Sequence, residues 1–568
     1  MFEFNIIRNQ DGRVSHLETN LTGYHLLGTP KLNKGCAFTQ EERDQLGLTG
    51  LLPENIETLE EQAARMYIQY SEHHTNLSKN IYLHVLHDYN ETLFYKLVSQ
   101  HLEEMLPIIY TPTVGEAVKR FSLELRKPKG LCISYKDRHR IDEILEHRLP
   151  EFVDLAVVTD GGAVLGIGDQ GIGGINISIA KLMVYSLCGG ISPHRTLPIQ
   201  LDVGTNNPHL LNDPMYLGWR HERLTGQEYD DFIDLFVKSI TKKFPQMLLH
   251  WEDVSREHAR DILMRYRENI CTMNGDMQTT GVIALASILA GIQASGLPLK
   301  EHRIVIYGAG TAGAGIADQI SDAMLRAGLS AAEAHSRFYM LDKNGLLTTA
   351  SELLPFQIPY ARSTEEVKTW QCRNASTISL YDVVKNAKPT ILIGCSTATG
   401  AFNEEIVKTM QEHVERPIIM PLSNPTALSE ADPKDLYQWT KGKAIIATGS
   451  PFPDVRFMGS YHRIAQSNNA LAFPGIGLGI ITVNARILSD DMLWAAANAL
   501  SSCSPIIQDK TAPLLPKLSE AKMVSMKVAA AVAEQARKEG LALNMKDDIN
   551  ELLQKTMWEA RYLPYRKV

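Results

Sequence analysis

Three carboxylates and three glycines carry the chemistry most readily read from this chain. The run Leu248-Leu-His-Trp-Glu252-Asp253 is an apolar, strand-like stretch ending in two adjacent acids, and Asn274-Gly275-Asp276 adds a third just before an apolar helix. Carboxylate oxygens placed this way suit a hard divalent cation, Mg²⁺ or Mn²⁺. Further on, Gly308, Gly310 and Gly313 follow the short apolar run Arg303-Ile-Val-Ile-Tyr307 in G-x-G-x-x-G spacing. The first glycine permits a tight strand-to-helix turn, the second lets the backbone approach a pyrophosphate, and the third lets helix and strand pack closely. The helix start supplies free N–H groups and positive dipole charge for the phosphates. The next apolar run, Arg337-Phe-Tyr-Met-Leu-Asp342, ends in a carboxylate. An NAD-type fold places there the acid that accepts from the adenosine ribose, and Asp342 would repel a 2′-phosphate, so NAD is expected rather than NADP.

These groups need a scaffold, and the pattern of the chain divides it into four parts. Residues 1–130 read as a helical N-terminal segment, with apolar residues at helical spacing over 56–71 and 90–105. Residues 131–276 alternate strands (155–159, 197–203) with helices (177–187, 229–244) and contain the acids. Residues 277–480 hold the dinucleotide unit and further strands at 390–394, 417–420 and 444–447. Each of these three runs into a polar or glycine-containing turn, the C-terminal strand end at which α/β folds face their ligands. Residues 481–568 read as helical again.

Composition fits a soluble enzyme of more than two domain-sized units: 568 residues, 44% hydrophobic and 21% charged. A net charge of −8 and a pI near 6.2 argue against a nucleic-acid surface, and the basic patch Arg126-Lys-Pro-Lys129 reads as a solvated turn. The seven cysteines are dispersed without C-x-x-C spacing, which points to a reducing, cytoplasmic setting with no structural zinc. The N-terminus lacks a signal-peptide apolar core. The apolar stretch 281–296 reads as too short and too interrupted for a membrane span, so a buried core helix is expected and no membrane partner.

Several longer segments together resemble the malic enzyme family, and the resemblance runs over most of the chain. They are Leu48-Thr-Gly-Leu-Leu-Pro53, Pro107-Ile-Ile-Tyr-Thr-Pro-Thr-Val-Gly115, Val158-Thr-Asp-Gly161, Leu165-Gly-Ile-Gly-Asp-Gln-Gly171, Ile179-Ala-Lys-Leu182, Leu201-Asp-Val-Gly-Thr-Asn206, Trp251-Glu-Asp253, Leu422-Ser-Asn-Pro-Thr426, Gly449-Ser-Pro-Phe452 and Asn468-Asn469. The likeness is to bacterial NAD-linked members, and the glycine-rich segment 307–317 also resembles the malolactic enzymes. The resemblance implies two α/β domains around a cleft, one of them Rossmann-type, with helical terminal segments, in a homo-oligomer (dimer or tetramer). It implies oxidative decarboxylation of L-malate to pyruvate and CO₂ with reduction of NAD and a requirement for Mn²⁺ or Mg²⁺. Carried over by residue, Glu252, Asp253 and Asp276 match the metal ligands, Tyr110 the general acid and Lys181 the general base. Asn424 and Asn469 match side chains that hold the malate carboxylates, Asn424 also facing the cofactor. A lysine base needs a depressed pKa, which burial and a nearby cation would supply.

Two departures are expected to weaken such an enzyme. The family's Asn-Asp-Asp-Ile-Gln-Gly-Thr reads here Asn274-Gly275-Asp276-Met277-Gln278-Thr279-Thr280, so Gly275 replaces the Asp that supports the lysine. Ala163 stands where the family carries an Arg for a malate carboxylate. Losing one charge-assisted pair costs about 1.5–3 kcal/mol, roughly ten- to a hundredfold. On this reading Gly275→Asp, alone and with Ala163→Arg, raises malate-dependent NADH formation. The alternatives are malolactic chemistry, which gives lactate without net NADH, and a catalytically weak NAD- and metal-binding protein.

Overall fold

Five apolar runs in the first half of the chain extend as strands and pair into one sheet. They are β1 (Leu131–Ser134), β2 (Leu155–Thr159), β3 (Thr196–Asp202), β4 (Leu248–Trp251) and β5 (Thr272–Asn274), in the order β1-β3-β2-β4-β5. All pairings are parallel. Every residue of β2 and β4 is buried. A parallel sheet is covered on both faces, which is why these strands read as continuous apolar runs without alternation. The computed structural model describes residues 4–9, 14–124, 126–146, 152–374 and 377–568.

The second sheet contains β6 (Ile304–Tyr307), β7 (Phe338–Asp342), β8 (Gly345–Leu346), β9 (Ile391–Gly394), β10 (Ile418–Pro421), β11 (Ile445–Thr448) and β12 (Ala465–Gln466), in the order β8-β7-β6-β9-β10-β11-β12. Only the short β8 runs antiparallel. This is the doubly wound, Rossmann-type arrangement, with strand order turning back at β6 and β9. The chain is thus an α/β protein of two parallel-sheet domains.

Helix α1 (Ile175–Gly189) is buried along its whole length and lies on the first sheet. Helix α2 (Thr280–Ser295) links the two sheets and packs on α3 (Thr311–Arg326), the helix that follows the glycine turn. Counted with the turns that precede them, the α1 and α2 segments are longer than the sequence suggested. Gly171–Gly189 and Gly275–Ser295 are long and apolar enough to cross a membrane by length and composition, but 100% and 78% of their windows are buried inside the protein. They serve as core helices: α1 packs on α4 (Phe473–Val483) and α5 (Ala521–Lys538), and α2 on α3 and on the helix Asp490–Ser502.

The terminal segments are not purely helical. Phe4–Arg8 and Val14–Thr19 pair antiparallel, and Tyr565–Lys567 from the other end of the chain adds parallel to Val14–Thr19. The rest of the described N-terminal segment is mainly helical, its start signals including capping boxes at Thr39/Glu42 and Thr58/Glu61.

Candidate active site

Both sheets turn their C-terminal strand edges toward one cavity of about 620 Å³. From the first sheet come Glu252 and Asp253 after β4 and Asp276 after β5; from the second come Gly308 after β6, Asp342 at the end of β7, Asn424 after β10 and Asn469 before α4. Tyr110, Gly310 and Gly313 also line it. Lys181 lies behind this wall with no exposed surface, its Nζ 5.9 Å from the centre of the Tyr110 ring and bonded to Glu252. Residues scattered from 110 to 469 therefore meet in one place.

The glycine turn is built as its spacing implies. Gly308 has φ +124°, and a Cβ there would stand 2.3 Å from the Cys395 carbonyl oxygen. A Cβ on Gly313 would meet the Gly308 carbonyl oxygen at 2.1 Å, whereas one on Gly310 meets nothing within 4 Å. The open side of Gly310 faces the cavity and starts α3, so the N–H groups there are free for an anion. The Asp342 carboxylate accepts from the Asn344 N–H at 2.7 Å and lines the cavity beside Lys343.

The acids are held by backbone geometry. Asp253 sits in the left-handed region, φ +51°, a conformation costing about 1–3 kcal/mol that its surroundings must fix. Its N–H donates to Asp276 Oδ2 at 2.9 Å, and its Oδ1 accepts from the Leu165 N–H at 3.1 Å. Its Oδ2 is buried without a partner. Burial first, then the charges of Asp276 and Glu252, push the Asp253 carboxyl well up; burial and Glu252 push Asp276 up to about 7. An orphaned carboxylate oxygen and two acids resisting ionisation beside a third are what a divalent cation would relieve, so the residues fit that group. They are not pre-assembled around it. Among the described residues no three His, Cys, Asp or Glu side chains converge as a metal cluster, because Glu252 is turned away to Lys181 and His250.

That pairing also corrects the expected behaviour of Lys181. Burial acts to lower its pKa, but the charges of Glu252, Tyr110 and Asp276 outweigh it and the ammonium is held above its ordinary range. Glu252 goes the other way: burial opposes ionisation, but Lys181 and the His250 hydrogen bond carry its carboxyl down to about 2. Burial pushes the Tyr110 hydroxyl up to about 12, so it holds its proton at neutral pH.

Asn424 Oδ1 accepts from the Ser450 hydroxyl at 2.6 Å, and Asn469 Nδ2 donates to the Thr280 hydroxyl at 3.0 Å. Ala163 lines the cavity and its N–H donates to the Asp253 carbonyl at 3.2 Å. Position 163 contributes no charge, and Arg256, which the sequence did not single out, is the guanidinium that lines the cavity. Also unanticipated are His250, wedged between Glu252 and Tyr185, and Arg223, whose guanidinium pairs with the buried Asp160 at 2.8 Å behind the 161–171 loop. A buried histidine inside an otherwise apolar strand was the visible signal for the first; Arg223 sits in a loop and offered none.

Comparisons with known proteins agree with this architecture. A family model for the malic enzyme N-terminal domain matches residues 87–267, and one for the malic enzyme NAD-binding domain matches residues 277–537. The chain is 51% identical over 557 residues to NAD-dependent malic enzyme 3 of Bacillus subtilis, covering 97% of this chain and 98% of that protein. It is 49% identical to the NAD-dependent malic enzyme of Acinetobacter baylyi, covering 96% and 97%. Among solved structures, the malic enzyme of Entamoeba histolytica shares the fold with a TM-score of 0.54 at 23% identity, covering 90% of each chain. That of Pyrococcus horikoshii does so at 0.53 and 24%, covering 80% of this chain and 88% of its own. The chain belongs to the malic enzyme family.

Proposed function

We propose that this protein is an NAD-dependent malic enzyme that converts L-malate to pyruvate and CO₂. The observation that carries the reading is the single cavity that sets Tyr110 and the Lys181–Glu252 pair opposite the glycine turn and Asp342. In this reading Lys181 Nζ, in its neutral form, takes the proton of the malate C2 hydroxyl, and the Tyr110 hydroxyl, kept protonated by its burial, gives a proton to C3 after CO₂ leaves. Asn424 and Asn469 orient the substrate carboxylates. Gly308, Gly310, Gly313 and Asp342 would hold the dinucleotide, which would supply the hydride acceptor for C2. A divalent cation held by Glu252, Asp253 and Asp276 would supply the charge that offsets these carboxylates, which now raise Lys181, and would polarise the C2 oxygen.

Ala163 leaves one malate carboxylate without the guanidinium expected at that position, so the affinity for malate is low, by roughly ten- to a hundredfold, and Ala163→Arg lowers KM. Exposed apolar residues on the N-terminal helices, Ile68, Val85 and Tyr89, support a homo-oligomer, dimer or tetramer. All seven cysteines are free thiols, which supports a cytoplasmic location.

The test is purified protein with L-malate, NAD⁺ and Mn²⁺, following NADH absorbance and assaying pyruvate and lactate. Pyruvate equal to NADH is the expected outcome. Lactate without NADH moves the protein to malolactic chemistry, and no product from malate overturns the reading.

A further inference from the structure

Positions 250 and 275 lie on different elements and compete for one volume. A Cβ on Gly275 would stand 1.8 Å from Glu252 Oε2 and 2.4 Å from His250 Nε2. These two atoms are each other's partners, 2.9 Å apart, and both side chains are buried. A carboxylate only accepts, so His250 Nε2 carries the proton and donates it to Glu252. Nδ1 is left to accept from the Tyr185 hydroxyl at 2.6 Å. Tyr185 stands one turn after Lys181 on α1, on the same face of the helix. Lys181 Nζ bonds the other oxygen of Glu252. The four side chains therefore close a ring: Lys181, Glu252, His250, Tyr185 and back through one turn of helix.

The ring is packed from outside. The Phe473 and Tyr185 rings lie 4.6 Å apart at 62°, and the same Phe473 ring lies 4.6 Å from Lys181 Nζ. A Cβ on Gly477 would stand 2.6 Å from Tyr185 Cε1. Phe473 and Gly477 of α4 thus back the tyrosine against the histidine.

We propose that His250 is the positioning residue for the Lys181–Glu252 pair, and that it can stand there because position 275 carries no side chain. Support for the lysine comes from β4, through Glu252, instead of from the turn after β5. A carboxylate introduced at 275 alone adds no support; it displaces the support already present. The kinetic arm of this inference rests on the reading of Lys181 as proton acceptor. The structural arm does not.

The experiment is a double-mutant cycle on the full chain with Gly275→Asp, His250→Ala and the two combined, together with His250→Gln. Thermal midpoints are measured in chelator, without substrate. Gly275→Asp lowers the midpoint, and the combined variant loses less than the sum of the two single losses, since removing the imidazole makes room for the carboxylate. Additive losses overturn the shared volume. Steady-state kinetics with malate then read the positioning. His250→Ala lowers kcat about tenfold or more with KM for malate little changed, and His250→Gln, which keeps an N–H donor toward Glu252, recovers a large part of the loss. An unchanged kcat in His250→Ala, or a Gln variant no better than Ala, overturns it. If the unmodified protein turns over no malate, the functional reading fails and the stability cycle alone decides the inference.

Discussion

Lys181 and Glu252 form an ion pair walled off from solvent, one on the fully buried helix α1 and the other at the end of strand β4. Removing one member of such a pair leaves the other charge uncompensated. In this protein the pair is also the proposed proton acceptor and a proposed cation ligand, so its loss is felt in chemistry before binding. Lys181→Met is expected to reduce malate-dependent NADH formation by roughly 10²- to 10⁴-fold. Titration of NADH by fluorescence should show dinucleotide affinity retained, because the glycine turn lies on the other sheet. A variant that keeps its turnover removes Lys181 from the mechanism.

Asp253 and Asp276 give the proposed cation site a pH signature. Their carboxyls are pushed above the ordinary range, Asp276 to about 7. An acid whose folded-state pKa is raised makes the folded protein bind more protons than the unfolded chain, so its contribution to stability falls as pH rises from about 4 to 7. A divalent cation replaces those protons and removes the penalty. The increase in thermal midpoint on adding Mn²⁺ should therefore be larger at pH 8 than at pH 6, and Asp276→Asn should reduce the difference. An increment independent of pH in the unmodified protein would count against these acids as the ligands.

Asp160 is buried, and Arg223 beside it lies 2.8 Å from Oδ1. Burial opposes the Asp160 charge, yet Arg223 and the Tyr229 hydroxyl carry its carboxyl below the ordinary range. Arg223→Ala is expected to cost about 3–5 kcal/mol in urea unfolding, the range for breaking a buried pair from one side. It should also raise KM for malate, since the 161–171 loop that carries Ala163 and Leu165 packs on this pair. A cost below about 1 kcal/mol would place the pair with ordinary surface salt bridges.

Asp342 is the expected determinant of cofactor choice. With its carboxylate at the end of β7 facing the cavity, NAD should be preferred over NADP. Asp342→Ser removes the repulsion of a 2′-phosphate and one acceptor for the ribose, so KM for NADP falls and KM for NAD rises, narrowing the preference by roughly tenfold or more. Kinetics with both cofactors check this, and an unchanged ratio would shift the choice to another residue.

The chain announces what is local. Leu155–Thr159 and the strand before Gly308 are continuous apolar runs, and turn chemistry marks their ends, so the inner strands of both sheets could be read without a structure, but not the short strands β1, β5, β8 and β12. Acids at strand ends and the glycine spacing likewise placed Glu252, Asp253, Asp276, Asp342, Gly308, Gly310 and Gly313 on the cavity wall. What could not be read was set by partners distant in sequence. The direction of the Lys181 pKa depends on Glu252, 71 residues away, and the N-terminal strands depend on Tyr565–Lys567 at the opposite terminus. The neighbours of Gly275 in space, Glu252 and His250, could not be read either.

The turn Gly275–Thr279, a single π-helical turn, carries Asp276 and runs directly into α2, between the acid side and the dinucleotide side of the cavity. It touches α3 without an intervening side chain, since a Cβ on Gly315 would stand 2.8 Å from the Met277 carbonyl oxygen. A dinucleotide at the start of α3 and a cation on Asp276, as proposed, would lie on opposite sides of the same backbone contact. Whatever free energy passes through it must be reciprocal: the factor by which the cation tightens the dinucleotide is the factor by which the dinucleotide tightens the cation.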